Sequence, residues 1–355
     1  SDVAIKPDHG SVNPFGPWAP RFLPGRRSYT VTLSGDAPPA PGQPREANTL
    51  YTGRTATAGQ AQVVEIALRI YTPDRSRDAT GDAGLPQPTY RPAGGPDVGA
   101  QAVCDTLGTA GQKLPNVALP QAQYSALLAL SPSTTHPAVD PIRWDAFFNS
   151  QRLAEPFYRG TPAAGLIPGL PTAKTGGFYS NIDNSYVAGY VDRSFGPQSD
   201  GRNILVLAGR MPTTPATYEG NLLARGGTQV RYWSLCQNES IASGRVSSEC
   251  LYDETVPTER DRDYTVVVSL PEDRPVNATR RCGVAWLDWG TTGDGFARPR
   301  GGLLVLRNML PDPSFTQAPA NVTVPGTEAQ VMGDYLPTGT YTSRAAFERR
   351  RLDCR

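Results

Sequence analysis

Lysine is nearly absent from this chain: of 34 basic residues three are lysines, Lys6, Lys113 and Lys174, which with abundant Ala, Gly and Pro is the mark of a high-GC genome. Histidine is as scarce, with His9 and His136 alone. A Ser-His-acid triad would have to use one of them, and no nucleophile-elbow GxSxG occurs. The five cysteines contain no CxxC pair, so with two histidines no zinc or redox-dithiol site is expected and the metal prediction is none. P-loop and GxGxxG turns are missing too, which excludes nucleotide cofactors; no cofactor is expected. Excess charge of either sign is lacking: 34 basic residues face 33 acidic ones, a net +1, too weak a field to recruit nucleic acid or an anionic membrane. Long apolar runs are absent as well. Ile204 to Ala208 is typical of the longest, far below a membrane span, and no signal peptide is seen. The chain opens on Ser1 without an initiator Met, as a cleaved leader or a processed form would leave it.

What is present begins with Cys236 and Cys250, placed symmetrically in VRYWSLCQNES and SSECLYDETV about the turn Ile241 to Arg245. This reads as a hairpin in which the two sulfurs face each other in a non-hydrogen-bonded pair, the close spacing a cross-strand disulfide requires. Cys282 and Cys354 are the second expected pair, leaving Cys104 as the odd thiol. Disulfides imply an oxidising compartment, secreted or on the cell-envelope exterior.

Most of the chain reads as strands. In RRSYTVTLSGD, Tyr29, Val31 and Leu33 alternate with Thr30 and Thr32, and VVEIALRIY repeats the pattern, the period-2 signature of a half-buried strand. SYVAGYV, NILVLAGRM, VRYWSL, ECLYDETV, YTVVVSL, GVAWLDW and GLLVLRNML follow, each closed by Gly, Pro, Asp or Asn. The 38% hydrophobic content of 355 residues supports a full core. The expected fold is mainly β, an antiparallel, jelly-roll-like sandwich.

Helices are expected near 97–153 and at the C-terminus. LPQAQYSALLAL carries Pro120 in its first turn, and DPIRWDAFFNSQRL offers Asp140 as N-cap, Pro141 at N1 and core aromatics Trp144, Phe147 and Phe148 at helical spacing. SRAAFERRRL closes the chain with Phe347 inward and its arginines as a solvated face. The Pro- and Gly-rich stretch Glu155 to Gly177 is the expected linker, giving a β-rich portion 1–160 with the middle helices and a sandwich portion 161–355 with the last helix. In the loop Pro73 to Pro96, Asp74, Asp78 and Asp82 recur every fourth residue. Such oxygens can hold calcium, but the spacing is not that of an EF-hand and a solvated polar turn is the better reading.

Across GGFYSNIDNSYVAGYVDRSFG, RYWSLCQNE, CLYDETVP, YTVVVSLPEDRPVNAT, CGVAWLDWG and LLVLRNMLPDPSFTQA the chain resembles a group of uncharacterised secreted proteins of high-GC bacteria. Its C-terminal part is more distantly similar to a bacterial β-sandwich domain of unknown function. The resemblance implies fold and compartment, a further β-segment upstream of SDVAIKPDHGSVNPF, and no catalytic residues.

The candidate ligand-binding residues are Tyr179, Asn181, Asp183, Asn184 and Tyr186, whose donors, acceptors and rings suit a sugar or another polyol, together with Glu239 at the disulfide hairpin. They are expected to wall one cleft. Asp253 and Glu254 are read as lying near that hairpin mouth, and Asp288 as bracketed by Trp286 and Trp289. Two carboxylates across a cleft are the minimum for glycoside hydrolysis, but turn capping for Asp183 and core packing for the tryptophans are the better readings. Three functions follow: binding of a carbohydrate, lipid or envelope component first, an extracellular carboxylate-dependent hydrolase or lyase second, a structural or assembly subunit third.

Overall fold

A computed structural model describes residues 4–15, 26–53, 68–92, 94–99, 101–102, 105, 140–149, 152–153, 172–174, 181–192, 201–220, 227–239, 246–293, 301–350 and 354. The helix expected at 119–130, Cys104, Tyr179 and nearly all of the 155–177 linker lie outside these. The chain divides into two units, Ser1–Pro115 with Thr217–Ala224, and Asn116–Ala216 with Arg225–Arg355.

The first unit holds two small sheets. Strand β1 (Thr32–Ser34) pairs in parallel with β2 (Thr49–Tyr51), and β3 (Thr89–Tyr90) pairs antiparallel with β4 (Val98–Gly99). Tyr29, Val31 and Leu33 are exposed rather than half-buried, as are Leu68 and Ile70; of these five only Leu33 lies in a strand.

The second unit is the sandwich. Its strands are β5 (Asp145–Ala146), β6 (Asn184–Asp192), β7 (Ile204–Arg210), β8 (Tyr232–Asn238), β9 (Val246–Tyr252), β10 (Asp263–Ser269), β11 (Val284–Asp288), β12 (Gly301–Met309) and β13 (Thr338–Thr342). They form a five-stranded sheet ordered β5-β6-β12-β8-β9 and a four-stranded sheet ordered β11-β10-β7-β13. Every pairing is antiparallel except β10 with β11, which run in parallel. Alternation builds the core between the sheets: Val187, Val191, Trp233, Leu235, Leu304 and Leu306 from one meet Leu205, Leu207, Tyr264, Val266, Val268, Leu287 and Tyr341 from the other. The back of the four-stranded sheet, with Ile204, Val267 and Val284, is covered by Phe347 of the C-terminal helix (Arg344–Arg350), as the sequence predicts.

The expected helix from Asp140 is instead a turn followed by β5. Ile142, Trp144, Ala146 and Phe148 are all buried in the core, a period of two that competes with the helical spacing of Trp144, Phe147 and Phe148 and wins because the segment pairs with β6 as the edge of the five-stranded sheet. The segment is fixed from afar. Trp144 Nε1 donates to the Pro337 carbonyl at 2.6 Å, and the Ala146 N–H donates to buried Glu328 Oε1 at 3.0 Å. Ile142 lies over Gly339 of β13, where a Cβ would overlap its Cγ2.

Both expected disulfides are present. Cys236 and Cys250 are register partners with Cα atoms 4.1 Å apart, the close spacing of the non-hydrogen-bonded pair. Cys282 joins Cys354 with Cα atoms 5.4 Å apart.

Candidate functional site

The segment singled out in the sequence forms a tight turn entering β6. Asn184 donates its N–H to the Asn181 carbonyl at 3.0 Å, Asn181 Oδ1 accepts from the Asp183 N–H at 2.9 Å, and Ile182 at the tip is 82% exposed. Asn181 is thus the turn-capping side chain, an Asx-type role. Asp183 is buried, and its carbonyl accepts the Leu310 N–H at 2.7 Å. Tyr186 lies under Arg307, whose Cζ is 5.2 Å from the ring centroid while its Nη1 donates to Ser234 Oγ at 3.2 Å.

Glu239 is not beside them. Strands β6 and β8 both pair antiparallel with β12 and therefore point the same way. Asn184 opens β6 opposite Met309, whereas Glu239 follows Asn238, which pairs with Leu303 six positions along β12. At ~3.3 Å per residue that separation is about 20 Å. The single cleft expected from Asp183 and Glu239 is therefore not formed. Asp253 and Glu254 also change ends: they follow β9 at the open end of the hairpin, away from Glu239 and level with the start of β6.

Trp289 is core. Trp286 donates from Nε1 to Ser269 Oγ at 2.9 Å beneath Arg274, and Asp288 Oδ1 accepts the Gly290 N–H at 2.9 Å. These are structural roles. In the first unit, Asp78 Oδ1 accepts from the Thr80 N–H at 2.7 Å and the Asp82 N–H at 2.9 Å, and Asp82 Oδ2 accepts from Arg77 at 2.6 Å. The aspartates of that loop build a polar turn, and the hydrogen bonds that hold it lower the pKa of both.

The end of the sandwich that receives Asp183 and Asp253 is where loops from both sheets converge. Gln229 is its hub. Its Oε1 accepts the Thr213 N–H at 2.9 Å, its N–H donates to Thr213 Oγ1 at 2.8 Å, its Nε2 donates to Tyr335 Oη at 2.9 Å, and its carbonyl accepts the Asp312 N–H at 2.8 Å. The 310–312 loop thus ties the Asp183 turn to Gln229. On the other side Asp253 hydrogen-bonds Thr214, and the Asp253 N–H donates to the Trp233 carbonyl at 3.1 Å. Arg262 reaches across from the turn before β10, donating from Nε to the Met211 carbonyl at 3.1 Å and from Nη2 to the Pro212 carbonyl at 2.8 Å. Asp183 and Asp253 flank the strands β6, β12, β8 and β9, three interstrand steps apart, about 14 Å at ~4.8 Å per step.

Among the described residues of this unit, three that are not glycine adopt left-handed backbone, Ala216 (φ 53°), Arg262 (φ 64°) and Leu310 (φ 45°). All three sit in these loops. Such residues cost stability and persist where the surrounding structure forces them. The electrostatics is also concentrated here. Burial pushes the Asp253 carboxyl up, the Thr214 hydrogen bond opposes this, the Glu254 charge adds to it and the Arg231 charge works against it. Burial lowers the Arg262 pKa, against the charge of Asp253. Arg231, Arg262, Thr213, Thr214, Gln229 and Tyr335 form no motif in the sequence, because they come from separate connections that only the fold brings together. The charged turn TERDRD ahead of β10 was the one available signal.

No family model matches this sequence, and no curated protein does. Among solved structures the chain is similar to an uncharacterised protein of Burkholderia cenocepacia, at 20% identity and a TM-score of 0.25, over 60% of this chain and 46% of that one. It is also similar to a Vibrio parahaemolyticus protein, at 16% identity and a TM-score of 0.23, over 46% of this chain and 31% of that one. This chain thus spans less than half the length of either bacterial protein to which it is similar.

Proposed function

We propose that this chain is an extracellular binding protein whose β-sandwich recognises a carbohydrate at the end where the 181–184 turn, the 310–312 loop, Gln229, Thr213, Thr214, Asp253 and Tyr335 converge. The observation that carries this reading is the Gln229 network. The segments at Thr213, Gln229, 310–312 and Tyr335 are locked to one another by side-chain and backbone hydrogen bonds, and the first and third carry the left-handed residues Ala216 and Leu310. Preorganised polar groups on a rigid sandwich suit a polyol, because little entropy is lost on binding. The two disulfides support an oxidising, extracellular setting. A glycan array probed with the full chain tests the reading. Retention of a defined glycan class, weakened in Tyr335→Phe at a temperature where that variant is still folded, is expected; retention of no glycan would refute it.

A second reading, a glycosidase-like hydrolase, is favoured by the Asp253 carboxyl, which burial moves toward the protonated state a general acid needs. New reducing ends released from a bound glycan and abolished in Asp253→Asn would establish it.

A further inference from the structure

We propose that the ligand of this site is an acidic sugar, an oxyanion carried on a polyol frame, and that Arg262 receives the oxyanion. The inference rests on the carbohydrate reading above and narrows it. Arg262 is half-buried, and its left-handed backbone is held in a turn where its N–H donates to the Glu259 carbonyl at 2.9 Å and its carbonyl accepts the Met211 N–H at 2.9 Å. Its guanidinium is fixed along one edge, Nε and Nη2, by two backbone carbonyls. Carbonyl oxygens orient the group and leave its charge in place. No carboxylate stands within ion-pair distance of it among the described residues. Arg210, one strand over, is different: it pairs with Asp263 at 3.4 Å and Asp334 at 3.1 Å.

A half-buried guanidinium with no carboxylate in ion-pair contact among the described residues is incompletely compensated, and an anion relieves the cost. The edge left over, Nη1 with the second Nη2 hydrogen, is a two-donor fork of the kind that matches a carboxylate or phosphate. Asp253 is near enough for its charge to act on Arg262, but it makes no ion pair with it, and its own carboxyl is occupied by the Thr214 hydrogen bond. Thr214 and Tyr335 add hydroxyls for the polyol.

Calorimetric titration of the full chain decides the matter with three probes: an oligogalacturonate, its neutral methyl ester and inorganic phosphate. The oligogalacturonate is expected to bind at least about tenfold more tightly than the ester, the loss of one charge-assisted contact, and more tightly than phosphate. Arg262→Gln should abolish that preference, leaving residual affinity for both sugars. Equal binding of acid and ester, or full acid preference in Arg262→Gln, overturns the oxyanion assignment and leaves the carbohydrate reading standing. Phosphate binding as tight as the oligosaccharide removes the polyol frame. Binding of neither sugar to the unmutated chain, with an empty glycan array, overturns both. Should Arg262→Gln fail to fold, the acid-to-ester ratio on the unmutated chain is decisive by itself.

Discussion

Removing each disulfide separately should cost stability in the order of the loops they close, not of how central they look. Cys236 and Cys250 are 14 positions apart and join β8, inside the five-stranded sheet, to its edge strand β9, whereas Cys282 and Cys354 are 72 apart and hold a terminal helix. Chain entropy assigns about 3 kcal/mol to the first loop and about 4.4 kcal/mol to the second, because the longer cross-link excludes more unfolded conformations. The second value is reached only if the terminal helix stays docked when the bond is gone. Its anchors are independent of the sulfurs: Phe347 is buried, the Val276 N–H donates to Glu348 Oε1 at 3.0 Å, and the Arg344 N–H donates to Asn203 Oδ1 at 2.9 Å. Denaturant unfolding of Cys236→Ala/Cys250→Ala and Cys282→Ala/Cys354→Ala, without reductant, should therefore place the second double variant below the first by about 1.4 kcal/mol. Within each pair, either single variant should match its double. A larger loss for the 236–250 pair would show that local packing outweighs chain entropy here, and additive single losses would show that the sulfurs are not partners.

Three further outcomes follow from buried groups. The Asp253 pKa is raised by burial, so the folded state holds that proton more tightly than the unfolded chain, and stability falls as pH climbs from the unfolded pKa through the folded one; Asp253→Asn should raise the melting temperature at pH 7 but not at pH 3, and equal effects at both would refute the assignment. Glu328→Gln keeps an acceptor for the Ala146 N–H and should be nearly neutral, whereas Glu328→Ala should cost about 1–3 kcal/mol in denaturant unfolding by leaving that buried donor unpaired. Gly339→Ala should cost about 1–3 kcal/mol by crowding Ile142, and the same change in an Ile142→Ala background should cost much less; undiminished cost there would mean the glycine serves its backbone alone.

The seven apolar alternations from SYVAGYV to GLLVLRNML became β6 through β12, since each buries one face against the opposite sheet. Strand β13, TGTYT, was missed because Tyr341 is its one large apolar residue, and it enters the sheet by pairing with β7. The segment after Asp140 was misread because its aromatics satisfy two periods at once. Nothing local chooses between them; Glu328, Pro337 and Gly339 do. The candidate site divides in the same way. The density of polar groups around Asp183 marked a loop at the convergent end, but the placement of Glu239 and Asp253 depends on which strands run parallel in space, a property of sheet order and not of any single hairpin.

The attachment of β5 has a temporal consequence. Trp144 and Ala146 find their hydrogen-bonding partners 193 and 182 positions later in the chain, so during synthesis this edge cannot close until Glu328 and Pro337 have emerged. Until then Trp144 and Phe148 have no finished core to enter. Such non-local closure slows folding and prolongs the exposure of sticky surface. A chain terminated just before Glu328 would retain most of the strands and still be left with an unsealed flank, prone to self-association.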